Sequence, residues 1–345
     1  MDELAAPTAS GAGWLGRIGR LVLAASALVA LFYFRVVDLG SLVQLLSDPI
    51  AILLALGCIL LALHLAIIRW NLLLRAQDIH IRFGTLWQLA FMANFANGFL
   101  PGGVGGDALR MYYIRGLAPG QSGHAVISIV ADRFIGLAGL MLAGVVVIVA
   151  YLGRISRSVA LEQLAWMVAL VTGAGTLLFI FAFFLGYHPS FRMRLRALTS
   201  RHNFFGRMGR LLIDVARDYH RAVGAVLVCV LLSVVAQGLT IVALVTLVRA
   251  LAPAPIEWGT TALAGVLSSL ANTIPLTPGG IGIGEGVFDQ ICRLLSTAQP
   301  EVSYGSAFFA MRAVSYAATS PGLACFVSYR APRASRPYAE QAGTE

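Results

Sequence analysis

Long runs of apolar residues, separated by short arginine-bearing stretches, set the pattern of this chain. A helix needs about 20 mostly apolar residues to cross a bilayer. Six segments qualify: 15–37, 49–74, 124–151, 162–186, 222–250 and 303–329. Two others, 85–115 and 258–295, are apolar but interrupted by Pro and Gly in their middles. A continuous helix through such a break would lose backbone hydrogen bonds. Lipid tolerates that only where protein or a water-filled cavity covers the break. Both segments read as re-entrant hairpins of two half-helices, the alternative being a kinked span or a surface loop. The predicted class is an all-α polytopic membrane protein with six spans plus two re-entrant helical hairpins.

The two broken segments resemble each other. The first reads N-G-F-L-P-G-G-V-G-G-D from Asn97 to Asp107, and the second N-T-I-P-L-T-P-G-G-I-G-I-G-E from Asn272 to Glu285. Each carries P-G-G-[V/I]-G, an upstream Asn and a carboxylate shortly after. Arg133 follows Asp107 by 26 residues, and Arg312 follows Glu285 by 27. Each half then holds two spans, one hairpin and a third span. Three crossings per half make the second half enter from the opposite side, which is an inverted repeat, common among secondary transporters. The expected divisions are a cytoplasmic tail 1–14, a first membrane half 15–151, a second half 152–329 and a cytoplasmic tail 330–345.

Composition agrees with burial in lipid. Of 345 residues, 58% are hydrophobic and 12% charged, against about 25% charged in soluble domains. All 25 basic residues are arginine, and the net charge is +9. The arginines lie mainly between apolar runs, which points away from nucleic acid. With the N-terminus inside, 18 fall in cytoplasmic segments and five outside, while Arg133 and Arg312 are intramembrane. That asymmetry follows the positive-inside rule and places both termini in the cytoplasm. Arg69 and Arg110 count among the 18 inside. The connection 187–221 carries eight arginines and reads either as an amphipathic helix on the anionic inner leaflet or as a simple basic loop. Arg17 and Arg20 ahead of Leu21–Phe34 suit a signal peptide. No A-x-A site follows, however, and Val36, Val37 and Leu39 extend the run, so it reads as a retained span. The four cysteines and six histidines show no metal-ligand spacing, and no cofactor is expected.

Ionisable side chains are costly in a bilayer and usually face a bundle interior or a cavity. The candidates are Asp107, Arg110, Asp132, Arg133, Glu285, Asp289 and Arg312. Gly102, Gly103, Gly105, Gly279, Gly280 and Gly282 expose backbone N–H groups just ahead of predicted helix starts, where anions bind. Asn97 and Asn272 lie beside them. Arginine adds a planar fork that matches phosphate oxygens. The expected site holds a phosphate-bearing headgroup near mid-membrane, with Arg110, Arg133, Glu285 and Arg312 lining one connected polar cavity. The competing reading is structural: Arg133 pairs with Asp107 or Asp132, and Arg312 with Glu285, to lock the fold. No Ser/His/Asp or Cys/His set is placed for catalysis, so an enzyme is not expected.

The stretches 97–110, 131–137 (A-D-R-F-I-G-L) and 275–285 resemble the signatures of the lysylphosphatidylglycerol synthase transmembrane (flippase-like) family. The resemblance spans roughly 15–330. It implies the membrane part that moves a lipid between leaflets, without the soluble aminoacyl-transferase domain fused to it in some members. The expected substrate is a phospholipid or a polyprenyl-phosphate-linked lipid with an anionic headgroup. The rivals are an intramembrane transferase with Asp107 or Glu285 as base, and a scaffold for a separate lipid- or glycan-modifying enzyme. A homo-oligomer is a further expected partner state.

Overall fold

A computed structural model describes residues 39–99, 105–155, 221–251, 257–273, 281–295 and 303–328, with short runs and single positions between 159 and 219. The expected span 15–37, both tails, about half of 162–186 and nearly all of the connection 187–221 lie outside the described residues. So do Gly102, Gly103, Gly279 and Gly280 of the two glycine motifs.

The described residues form ten helices and no strand. In chain order they are α1 (Leu39–Leu46), α2 (Pro49–Arg75), α3 (Phe83–Phe99), α4 (Gly105–Leu117) and α5 (Ser122–Ile155). Then come α6 (Val223–Leu251), α7 (Trp258–Ala271), α8 (Ile283–Leu295), α9 (Tyr304–Thr319) and α10 (Pro321–Ser328). Three of them, α2, α5 and α6, are long and apolar enough to cross a membrane.

Local chemistry explains the ends. Asp48 caps α2 by accepting a hydrogen bond from Ala51 N at 3.0 Å, and Pro49 occupies the first turn, where its missing N–H leaves nothing unpaired. On the outer faces, Leu53, Leu61 and Ile68 of α2 and Leu227, Leu231 and Val242 of α6 are exposed, as helices bathed in lipid require. Segments 85–115 and 258–295 are each two separate helices, α3 with α4 and α7 with α8.

One expected element differs. The segment 303–329 is not a single helix but α9 and α10, which meet at Ser320–Pro321. Proline has no N–H to offer the fourth preceding carbonyl, and its ring crowds that carbonyl. The chain therefore restarts a helix with Pro321 in the first turn, where proline fits.

Helix α6 is central and packs on α2, α5, α7 and α9. The packing has an internal correspondence. Leaving α1 aside, exchanging α2 with α6, α3 with α7, α4 with α8, and α5 with α9–α10 turns the packed pairs among the other nine described helices into one another. Thus α3–α4 answers α7–α8, α4–α5 answers α8–α9, α5–α6 answers α2–α9, and α5–α7 answers α3–α10. The pair α2–α6, the most extensive contact, maps onto itself. The candidate residues sit where these corresponding helices meet.

Candidate functional site

Helix α4 turns one face inward. Gly106, Asp107, Arg110 and Ile114 are buried, while Ala108, Tyr112 and Arg115 are exposed. That helical spacing sets Asp107 and Arg110 on one side, facing Asp132 and Arg133 of α5. Arg133 grips Asp107 with two bonds: Nε donates to Oδ2 at 2.5 Å and Nη2 to Oδ1 at 2.8 Å. Asp132 accepts from Arg69 Nε of α2 at 2.8 Å. Arg69 Nη1 also donates to Ser233 Oγ of α6 at 2.7 Å, and its guanidinium lies near Gly136.

Arg110 lies between the two carboxylates. Its Nη1 is 3.5 Å from Asp132 Oδ2 and 3.7 Å from Asp107 Oδ1. Its guanidinium carbon sits 3.9 Å from the centre of the Trp70 ring, a cation–π contact. Trp70 is fixed in turn by its own Nε1, which donates to Ser128 Oγ at 3.1 Å. Helices α2, α4, α5 and α6 thus converge on one cluster of three guanidiniums and two carboxylates.

The second half repeats the first pair. Arg312 Nε of α9 donates to Glu285 Oε1 of α8 at 2.7 Å, with Glu285 fully buried. Glu285 Oε2 accepts from Gly282 N at 2.9 Å. Asp289, one turn on, accepts from Arg293 Nε at 2.5 Å and from Gly305 N at 3.1 Å. The asparagines also correspond. Asn97 Oδ1 accepts from Gly106 N at 2.8 Å, and the Asn272 side chain lies against Gly284. A methyl group at Gly106 would collide with the Ala93 carbonyl and with Asn97, and one at Gly284 with Asn272 and Phe308. At Gly106, where the obstacle is backbone, only glycine allows α3 and α4 to approach this closely.

The expected residues therefore fall into two groups. Asp107, Arg110, Asp132 and Arg133 come together, with Asn97 hydrogen-bonded at the start of α4 beside Gly105. Glu285 and Arg312 pair, with Asn272 and Gly282 beside them. The structural alternative for Arg133 and Arg312 holds in geometry: each is an ion-pair partner. Arg69 was expected to be a cytoplasmic flanking charge, yet it is a buried member of the first cluster. Its position inside the apolar run 49–74 was the available signal.

The helical architecture, the apolar crossing helices and the buried ion-pair clusters define a polytopic membrane protein with charged sites inside the helix bundle. The model of the family described as Lysylphosphatidylglycerol synthase TM region matches residues 18–322, and the chain belongs to that family. Neither the curated proteins nor the solved structures provide a match. Family membership marks the chain as a membrane protein of the kind related to lipid modification and flipping.

Proposed function

We propose that this protein moves a phosphate-bearing lipid, a phospholipid or a polyprenyl-phosphate-linked lipid, between the leaflets of the bacterial inner membrane. The observation that carries the reading is the duplicated unit. Asn97, Gly106, Asp107 and Arg133 recur as Asn272, Gly284, Glu285 and Arg312, each unit ending in a carboxylate–arginine pair. Alternating access uses two related halves that move against each other around a site near mid-membrane. An enzyme has no need for two such units.

Six spans, two re-entrant hairpins and an inverted repeat with both termini inside make the topology of this proposal. Three observations support it: the arginine asymmetry, the two helices described in each of 85–115 and 258–295, and the correspondence of packed pairs among α2 to α10. In this reading Arg110, Arg133, Glu285 and Arg312 take part in headgroup passage, with Asp107 and the glycine N–H groups beside them. Charged groups inside lipid mark such pathways. The transferase alternative requires a carboxylate free to act as base. Asp107 and Glu285 are instead engaged by arginines.

Leaflet-resolved lipid analysis of cells with and without the protein tests the proposal. Headgroup-reactive reagents that cannot cross the membrane should find one anionic lipid class redistributed between leaflets when the protein is removed. An unchanged distribution in every phosphate-bearing class would favour the scaffold reading.

A further inference from the structure

The two units carry the same parts but are wired differently. In the first, Asn97 Oδ1 accepts from Gly106 N at 2.8 Å, which leaves both Asp107 oxygens to Arg133. In the second, Glu285 does the capping itself. Its longer side chain reaches back three residues, where Oε2 accepts from Gly282 N at 2.9 Å, as in a capping box. Oε1 goes to Arg312. Asn272 is thereby left idle: its Oδ1 is buried and, among the described residues, accepts no hydrogen bond. A buried acceptor without a donor is costly, yet this one lies against Gly284, the counterpart of Gly106. The arginines differ as well. The Arg133 side chain is half-exposed and that of Arg312 nearly covered.

The packing links the two units crosswise. Helix α5 carries Arg133 and packs on α7, which ends at Asn272; Gly144 of α5 faces Val266 of α7. Helix α9 carries Arg312, and with α10 it packs on α3, which carries Asn97; Gly322 of α10 lies against the Phe91 carbonyl. A shift of either arginine's helix is therefore felt at the other unit's asparagine. We infer that this structure is one of two states that exchange the wiring of the units. In the second state Asn272 accepts from Gly284 N, Glu285 lets go of Gly282 and holds Arg312 with both oxygens, and Asn97 releases Gly106. Two related halves that take different conformations and trade them are what alternating access requires. The inference rests on the transport reading, and it gives Asn272 a role in the second state alone.

The test is hydrogen exchange of the full chain in maltoside detergent, read by mass spectrometry over residues 105–110. Asn97→Ala should speed exchange there, since Gly106 N loses its acceptor. Asn272→Ala removes an acceptor used only in the second state. It should slow exchange over 105–110 by about tenfold, the shift expected from one hydrogen bond lost in one state alone. Its thermal midpoint should not fall. Glu285→Asp is too short to reach Gly282 N, so it weakens the first state and should speed exchange over 105–110. Neither Asn272 nor Glu285 belongs to the first unit, so opposite effects from the two require a linked equilibrium. A purely structural role predicts no effect, or faster exchange in both. If Glu285→Asp does not fold, Asn272→Ala decides alone. Unchanged or faster exchange in Asn272→Ala, a lowered midpoint of that variant, or unchanged exchange in Glu285→Asp or Asn97→Ala would each overturn the inference. Exchange is read without lipid transport, so it can fail while passage in vesicles succeeds, and the reverse.

Discussion

Replacing Arg312 by Gln and Arg133 by Gln should damage the fold unequally, although the two arginines occupy corresponding places. The Arg312 side chain is 12% exposed and its partner Glu285 0%. Removing one member of a buried pair leaves an uncompensated charge and costs about 3–5 kcal/mol. That is a factor of roughly a hundred to several thousand in the folding equilibrium. The Arg133 side chain is 52% exposed. Asp107 would still have Arg110 at 3.7 Å after its loss. Screening of a half-exposed pair brings the expected loss down to about 1 kcal/mol or less. The assay is reversible unfolding of the purified protein in mild detergent, titrated with a denaturing detergent and followed by helical circular dichroism. The double variant Glu285→Gln/Arg312→Gln should recover part of the loss, since it removes both charges together. Equal losses from the two single variants, or no recovery in the double, would refute the reasoning that burial decides the cost.

Three further outcomes follow from the geometry. Gly106→Ala should unfold readily or fail to accumulate, because its methyl group meets the Ala93 carbonyl and Asn97; yield and thermal midpoint of the purified variant check this. Tyr219 lies just ahead of α6, and its hydroxyl donates to Leu73 O at 3.1 Å, so Tyr219→Phe should cost about 1 kcal/mol at neutral pH. Burial pushes the Tyr219 phenol up, with Asp218 and Asp132 adding to the shift. Its contribution is therefore fully present below the unfolded value of about 10 and is lost above it, so unfolding curves at rising alkaline pH should converge for wild type and Tyr219→Phe. A single cysteine at position 205 on a Cys-free background should react with an impermeant thiol reagent only after the cells are permeabilised. Labelling of intact cells would contradict a cytoplasmic connection.

Much of the fold is legible in the sequence wherever an apolar run is long and unbroken. The expected segments 49–74 and 222–250 match Pro49–Arg75 and Val223–Leu251 to within a residue, because lipid-facing helices need no amphipathic phase to reveal them. Segment 303–329 reads as one span by hydropathy alone, which does not register that Pro321 lacks an N–H. The pairs Asp107–Arg133 and Glu285–Arg312 are legible from their matched separations of 26 and 27 residues, a consequence of the internal repeat. The role of Arg69 is not. It belongs to a cluster assembled from α2, α4, α5 and α6, and bonds to Ser233, 164 residues away. Charge counting by loop assigned Arg69 to the cytoplasmic side, since linear position carries no information about which helices converge.

The central claim is passage of lipid between leaflets, and it is tested most directly in unilamellar vesicles carrying the purified full chain. A fluorescent phosphatidylglycerol is placed in both leaflets, and a membrane-impermeant reductant quenches the outer one. With protein, the protected fraction should continue to fall well below that of protein-free vesicles. Arg110→Gln should slow this fall even where it folds normally. A protected fraction that stays at the protein-free level for every phosphate-bearing lipid tried would contradict the account.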